Sequence, residues 1–223
     1  MKVIKKKIIS NNIIEKVLPE NCIILGIDQS LNGSAFVKMK NFEVLDFWFF
    51  TNVIKHSIDS HAILNRETDT KRLNIIYEET SKLISKNAFN YAAIENYAFG
   101  AKGNSTFQIG GVGEMLRLQV YRSGIPFREY EPSKVKKFAT NNGSAEKSEM
   151  VLAAYKAGFD VGKYGKNGED LADAFWIATM LNNELFIHKN KDYINQLQKN
   201  KRDVFTEVTK SYPIPLLNRQ FYI

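Results

Sequence analysis

Between Ile23 and Thr51 the chain passes through three β-forming segments with only short turns between them, and that order constrains the fold more than any other feature. "IILGID" is a short apolar run, "SAFVKM" alternates, and "FEVLDFWFF" is rich in aromatic and β-branched residues. Asn32-Gly33 and Lys40-Asn41 supply the turns, so an antiparallel meander is expected. The chain then changes character. "DTKRLNIIYEETSKLISK" places Leu73, Ile76, Tyr77, Thr80, Leu83 and Ile84 on one helical face, with Asp69 as the expected cap. "YAAIEN" is a fourth strand, and the spacing predicts a helix over 106–122 despite Gly110, Gly111 and Gly113. "IPFREYEP" is a fifth strand, followed by short helices at about 133–139 and 146–158 and a last helix opening at "GEDLADAFWIATM". Three strands in a row, then helices alternating with two more, predict an α/β domain. Its mixed five-stranded sheet, three strands antiparallel and then two parallel, is flanked by helices.

A chain of 223 residues with 44% hydrophobic content can bury one sizeable core. Cys22 is the only cysteine, which excludes an intramolecular disulfide and a cysteine-based metal site. No apolar run approaches a membrane span, and the N-terminus lacks the apolar stretch of a secretory signal. Glu15 and Glu20, with no arginine nearby, speak against a transit peptide. A soluble protein of a reducing compartment such as the cytoplasm is the expectation. The net charge of +7 is unevenly placed. Residues 1–20 hold five lysines against two glutamates, and residues 188–223 hold seven basic residues against three acids, while 21–187 balance. The reading is therefore a basic N-terminal extension over 1–20, one domain over 21–187, and a basic tail over 188–223 that includes Pro213 and Pro215. Basic arms of this kind suit phosphate contact, and solubility accounts for them equally well.

Carboxylates sit where apolar segments end. Asp28 closes "IILGID" and Glu95 closes "YAAIE", and Glu169, Asp170 and Asp173 open the last buried helix. Each has an ordinary reading as a turn residue, a cap or a complement to the helix dipole. Strand ends, however, are where α/β proteins build sites, and neighbouring strands would bring Asp28 and Glu95 together. Asp170 and Asp173 share a helical face, and so do Glu169 and Asp173, so spacing does not choose between Glu169 and Asp170. Four converging carboxylates repel and raise each other's pKa unless cations intervene. An oxygen-only donor set without clustered His or Cys favours Mg²⁺ or Mn²⁺, and two such ions would suit phosphodiester hydrolysis.

The segments "IILGIDQSLNGSAFV", "AAIENYAFGAKG", "SKVKKFATNNGSAEKSEM" and "DLADAFWIA" resemble, in order and spacing, the RuvC family of Holliday-junction resolvases, members of the ribonuclease H-like superfamily. The resemblance spans about residues 22–182, and "GSAEKS" followed by "DxxDA" is its most specific part. It implies a ribonuclease H-like fold and a metal-dependent endonuclease that cuts four-way or otherwise branched DNA by paired nicking. It also implies 5′-phosphate and 3′-hydroxyl products, two Mg²⁺ per site (Mn²⁺ substituting), and a homodimer. By motif the four metal-binding acids fall on Asp28, Glu95, Asp170 and Asp173, which favours Asp170 over Glu169. Lys147 in "GSAEKS" matches a catalytically important lysine, and Lys136, or its neighbour Lys137, matches a basic position on the preceding helix. Tyr97 and Phe99 follow a catalytic acid where the family places a loop aromatic that stacks on unpaired bases, and Lys102 lies in the same loop. An extra residue relative to the family pattern leaves Phe99 only slightly preferred, and core packing is an equal reading of Tyr97. The N-terminal extension and basic tail depart from the bacterial pattern and suggest a viral or otherwise divergent member.

Ser144 is expected to cap the helix that carries Lys147, since no histidine lies nearby to activate it as a nucleophile. His56, His61 and His188 look like surface residues. On the expected helix at 106–122, Met115, Leu116 and Val120 could supply a dimer contact beside Gly111 and Gly113, or pack on their own sheet. Three other functions are weighed. A nuclease of the same fold could act on RNA or flaps. "GIDQSLNGSAFV" also resembles the phosphate-binding hairpin of actin-like ATPases and sugar kinases, which need a longer, duplicated chain. A catalytically silent DNA-binding protein would not need the four acids.

Overall fold

The computed structural model describes residues 19–30, 33–51, 62–97 and 104–211. A 3₁₀ turn at Pro19–Asn21 leads into β1 (Ile23–Asp28), β2 (Gly33–Lys40) and β3 (Glu43–Thr51). β1 pairs antiparallel with β2 and β2 with β3, the expected meander. The β2–β3 hairpin closes on Asn41 and Phe42 with φ of 50° and 66°, the left-handed pair that a tight two-residue hairpin demands. Then come α1 (Ala62–Lys86), β4 (Tyr91–Glu95), α2 (Asn104–Arg122), β5 (Phe127–Tyr130), α3 (Pro132–Thr140), α4 (Lys147–Lys156), α5 (Lys166–Lys189) and α6 (Lys199–Ser211). β4 joins β1 in parallel and β5 joins β4 in parallel, giving the sheet order β3-β2-β1-β4-β5. This is the mixed five-stranded α/β architecture expected from the sequence.

Strand alternation divides the core in two. Ile24, Tyr91, Ala93 and Tyr130 face α5 and the helices around it, whereas Leu25, Ile27, Ala92 and Ile94 face α1 and α2. Gly26 lies on the first face, and α5 crosses directly above it. A Cβ there would press on the Ala174 carbonyl and come within 2.7 Å of the Ala178 Cβ. That close approach keeps α5 flat on the sheet, and it brings the start of α5 to the C-terminal ends of β1 and β4. On the same side Glu184 of α5 is fully buried, accepting a hydrogen bond from the Tyr130 hydroxyl at 2.5 Å and pairing with Arg128 at 3.3 Å.

Several expectations are corrected. α1 begins at Ala62, so Asp69 lies inside the helix instead of capping it; the helix-forming run "AILNRE" carries the helix further toward its N-terminus. Tyr77, placed on the buried face of α1, is 42% exposed, while Ile76, Thr80, Leu83 and Ile84 are buried. The cap of α4 is Glu146, in a reciprocal capping box with Glu149, and not Ser144. On α2, Leu116 and Val120 are fully buried against the sheet, and Gly113 packs on Gln29 and Arg117, so none of the three is free for a dimer contact. Among the described side chains of that helix, the exposed large apolar ones are Leu118 and Tyr121. His188 is not a surface residue: its Nε2 is buried without a partner among the described residues, and burial lowers its pKa to about 4. The basic tail is corrected over 191–211. A 3₁₀ stretch at Lys191–Gln196 leads into α6, whose Val204, Phe205 and Val208 join the core beneath α3. His56, His61, Pro213 and Pro215 lie outside the described residues, as do Phe99 and Lys102 of the loop after β4.

Candidate active site

β1 and β4 are parallel neighbours with Ile27 opposite Ile94, so Asp28 and Glu95 are the next pair at their C-terminal ends. Even positions on β1 and odd positions on β4 face α5, which puts both carboxyl groups on that side. Asp28 is only 5% exposed, and Glu95 lies close enough that its charge acts on Asp28. Burial pushes Asp28 well above the usual carboxylate range, and the charges of Glu95, Asp173 and Asp170 add to it. Burial, followed by the charge of Asp173, raises Glu95 to about 8. Asp173 rises to about 6, again chiefly by burial, with Lys147 pulling against it.

α5 supplies the remaining acids because its first turns end over the tips of β1 and β4. Gly168, whose Cβ would run into the Val161 carbonyl, lets the start of the helix seat closely. Lys147, the first residue of α4, donates to Asp170 Oδ1 at 2.8 Å and lies 3.6 Å from Glu169 Oε2. A lysine there opposes the helix dipole, and the carboxylates opposite compensate it. Burial works against its ammonium, but the hydrogen bond to Asp170 and the charges of Asp170, Asp28 and Asp173 outweigh that and raise its pKa. The side chain of Glu169 is 36% exposed against 14% for Asp170, so Asp170 is the more inward of the two.

The two lysines of α3 part company. Lys136 acts on the site, its positive charge favouring the ionised forms of Glu95 and Asp173. Lys137 instead pairs with Glu207 of α6 at 3.1 Å, beside the Lys134–Glu207 pair. Tyr97 is engaged within the protein: its ring lies 4.5 Å from the Arg117 guanidinium and its hydroxyl bonds Glu114 at 2.6 Å. The structure therefore gathers Asp28, Glu95, Asp170, Asp173, Lys147 and Lys136, and leaves Lys137 outside.

Among the described residues no three acidic, histidine or cysteine side chains are already drawn into an ion cage. The donor set nevertheless fits a hard divalent cation. It consists of oxygens only, and its members raise one another's pKa through charges that such an ion would neutralise. Lys147 offsets part of that charge.

Sequence reasoning missed Gln29 and Arg117. Gln29, the residue just past β1, is buried next to Asp28, and its Oε1 accepts from Arg117 Nη1 at 2.9 Å. An arginine between the apolar Leu116 and Leu118, one helical turn after Gly113, is the only trace in the sequence, and its partners lie far apart in the chain.

The family model described as "Crossover junction endodeoxyribonuclease RuvC" matches residues 24–180. The protein of that name from Brachyspira hyodysenteriae is 31% identical over 133 residues, covering 58% of this chain and 76% of the relative. That of Christiangramia forsetii is 28% identical over 155 residues, covering 69% and 76%. Among solved structures, RuvC of Thermus thermophilus in complex with a Holliday junction substrate superposes with a TM-score of 0.56 at 17% identity, covering 75% of this chain and 96% of that chain. That likeness is one of fold, ribonuclease H-like. The match takes in all four acids, Lys136 and Lys147, and stops before α6.

Proposed function

The chain belongs to the RuvC family, and on that premise we propose that it is a metal-dependent endonuclease that cuts four-way DNA junctions by paired nicking, as a homodimer. One observation carries the reading: Asp28, Glu95, Asp170 and Asp173 meet at one end of the sheet with Lys147 and Lys136 beside them. The four acids would hold two Mg²⁺, with Mn²⁺ able to substitute. When bound, the ions supply Lewis acidity, activating water for attack on phosphorus and neutralising charge on the leaving oxygen.

The chain's own residues do the rest. Lys147, held protonated by its acidic neighbours, serves as a fixed positive charge toward the phosphodiester rather than as a base. Lys136 brings a second cation from α3. Asp28 and Glu95, on adjacent rigid strands, set the spacing of the site, while Asp170 and Asp173 ride on a helix that Gly26 lets lie flat. Water adds to phosphorus as the bond to O3′ breaks and O3′ takes up a proton, leaving 5′-phosphate and 3′-hydroxyl ends. Phe99 and Lys102, which follow Glu95 in the sequence, would contact branch-point bases, and the cytoplasm is the compartment that suits this activity.

The test is nicking of a synthetic mobile four-way junction with Mg²⁺, against a linear duplex of the same sequence. Asp28→Asn, Glu95→Gln, Asp170→Asn and Asp173→Asn should each lower cleavage by at least about 100-fold, since disturbing groups behind a metal ligand already costs about 10–100-fold. Junction binding should persist, because phosphate contacts elsewhere set affinity. Glu169→Gln should cut nearly normally. Equal cutting of the duplex, or a preference for flaps or RNA, would overturn the junction reading.

A further inference from the structure

Arg117 lies on α2, on the side of the sheet away from the four acids, and its side chain is almost fully buried. A buried guanidinium is tolerable only if its donors and its charge are met. Here all are. Nε donates to Glu129 Oε1 of β5 at 2.5 Å, and Nη1 donates to Gln29 Oε1 at 2.9 Å and to the Tyr97 hydroxyl at 3.2 Å. Nη2 donates to the backbone carbonyl of Glu95 itself at 2.9 Å. One side chain therefore reaches the residue after Asp28, the main chain of Glu95, and the strand beyond. It spans β1, β4 and β5 just where the parallel pair ends and the carboxylates begin.

Gly113, one helical turn before Arg117, makes room for this. A Cβ at that position would fall on Gln29 Oε1 and within 2.6 Å of Arg117 Nη1. No wider need for glycine is visible at this point of α2, where alanine would be the better helix former.

We propose that Arg117 is a positioning residue: through Gln29 and the Glu95 carbonyl it fixes the separation of the Asp28 and Glu95 carboxylates from behind, and thereby the affinity of the site for divalent metal. Groups that orient metal ligands from the second layer commonly change metal affinity by about 10–100-fold when removed. The rigid fork of arginine suits this task, since lysine cannot reach four acceptors at once. The inference rests on the metal-dependent reading of the site given above.

The experiment follows the thermal shift of the full chain over a Mg²⁺ titration, with cleavage measured alongside. Arg117→Met keeps bulk and removes the donors. It should need about 10–100-fold more Mg²⁺ for half the shift, with cleavage largely restored at saturating metal. Arg122→Met, on the exposed side of the same helix, should titrate like the wild type. Gly113→Ala displaces only the tips of two flexible side chains, so the helix stays folded while the network must move. It should shift the Mg²⁺ requirement in the same direction, and it decides the matter if Arg117→Met does not fold. A lower metal-free melting temperature with an unchanged Mg²⁺ midpoint would mean that Arg117 is merely structural, and would overturn the inference alone. A wild-type protein that shows neither a Mg²⁺-dependent shift nor cleavage would overturn the metal reading itself, and this inference with it.

Discussion

Burial raises both Glu95 and Asp28 above the usual carboxylate range, and the charge of Asp173 adds to the rise at each. The unfolded chain would release the Glu95 proton near the ordinary value of 4.5, whereas the folded chain holds it to about 8. The folded state thus binds more protons across that interval, so its stability is greatest below it and falls as pH rises through it. His188 acts in the opposite sense, since burial lowers it from 6.5 to about 4 and its contribution grows with rising pH over that range. The uncomplicated window is therefore about pH 6.5 to 8. There the melting temperature in chelator should fall, and the increase produced by Mg²⁺ should grow, because metal takes the place of the protons. Melts with and without Mg²⁺ at the two ends of the window check this. A chelator curve that is flat or rising would contradict the burial of these acids. The acids themselves were legible in the sequence, because a carboxylate at the end of an apolar strand or at the mouth of a buried helix is conspicuous. Arg117 was not: its partners Gln29, Glu95, Tyr97 and Glu129 come from three separate segments, and only the folded sheet brings them together.

At the scale of elements, the helix outside the family match changes most. α6 packs Phe205 edge-on against Phe138 of α3 at 5.5 Å between centroids, and Lys201 lies over both Phe138 and Trp176. Asn200 donates to the Lys137 and Phe138 carbonyls in the last turn of α3, where the helix end leaves carbonyls short of intrahelical donors; the Lys137 carbonyl also accepts from the capping Asn141 N–H. Glu207 ties Lys134 and Lys137 to the same helix. α6 therefore braces the helix that carries Lys136. Phe205→Ala should cost about 3–5 kcal/mol by denaturant unfolding, the usual penalty for emptying a buried aromatic site. A cost under about 0.5 kcal/mol would mean that α6 is only loosely attached. The strands and α5 were readable because their periodicity is strong and their apolar runs are long. α6 was hidden because Val204, Phe205 and Val208 form a thin stripe in a polar, basic stretch. Its neighbours resemble a solvated tail until α3 is there to cover. Ser144 was the expected cap, and the reciprocal bonds between Glu146 and Glu149 place the cap two residues later.

At the scale of the molecule, a four-way junction imposes a symmetry. Resolution needs cuts in two strands before the complex dissociates, and two identical sites related by a two-fold axis meet that need. A two-fold interface is self-complementary, so it should be an apolar patch that does not overlap the site. On α2, Leu118 and Tyr121 are 47% and 38% exposed, one turn apart on the side facing away from the sheet. Tyr77 of α1, whose carbonyl accepts from Gln119 of α2, adds a third exposed apolar side chain near them. These residues, and not the buried Leu116 and Val120, are the surface on which a second copy would sit. The paired variant Leu118→Glu with Tyr121→Glu places like charges across the axis and should give monomers in sedimentation. Neither residue touches the four acids, so Mg²⁺ binding and single nicks should survive while linearisation of a cruciform plasmid gives way to nicked circles. The surface would be wrong if the double variant stayed dimeric. A wild type that remained a monomer even on a bound junction would remove the dimer, and paired cutting would then require two independent encounters with each junction.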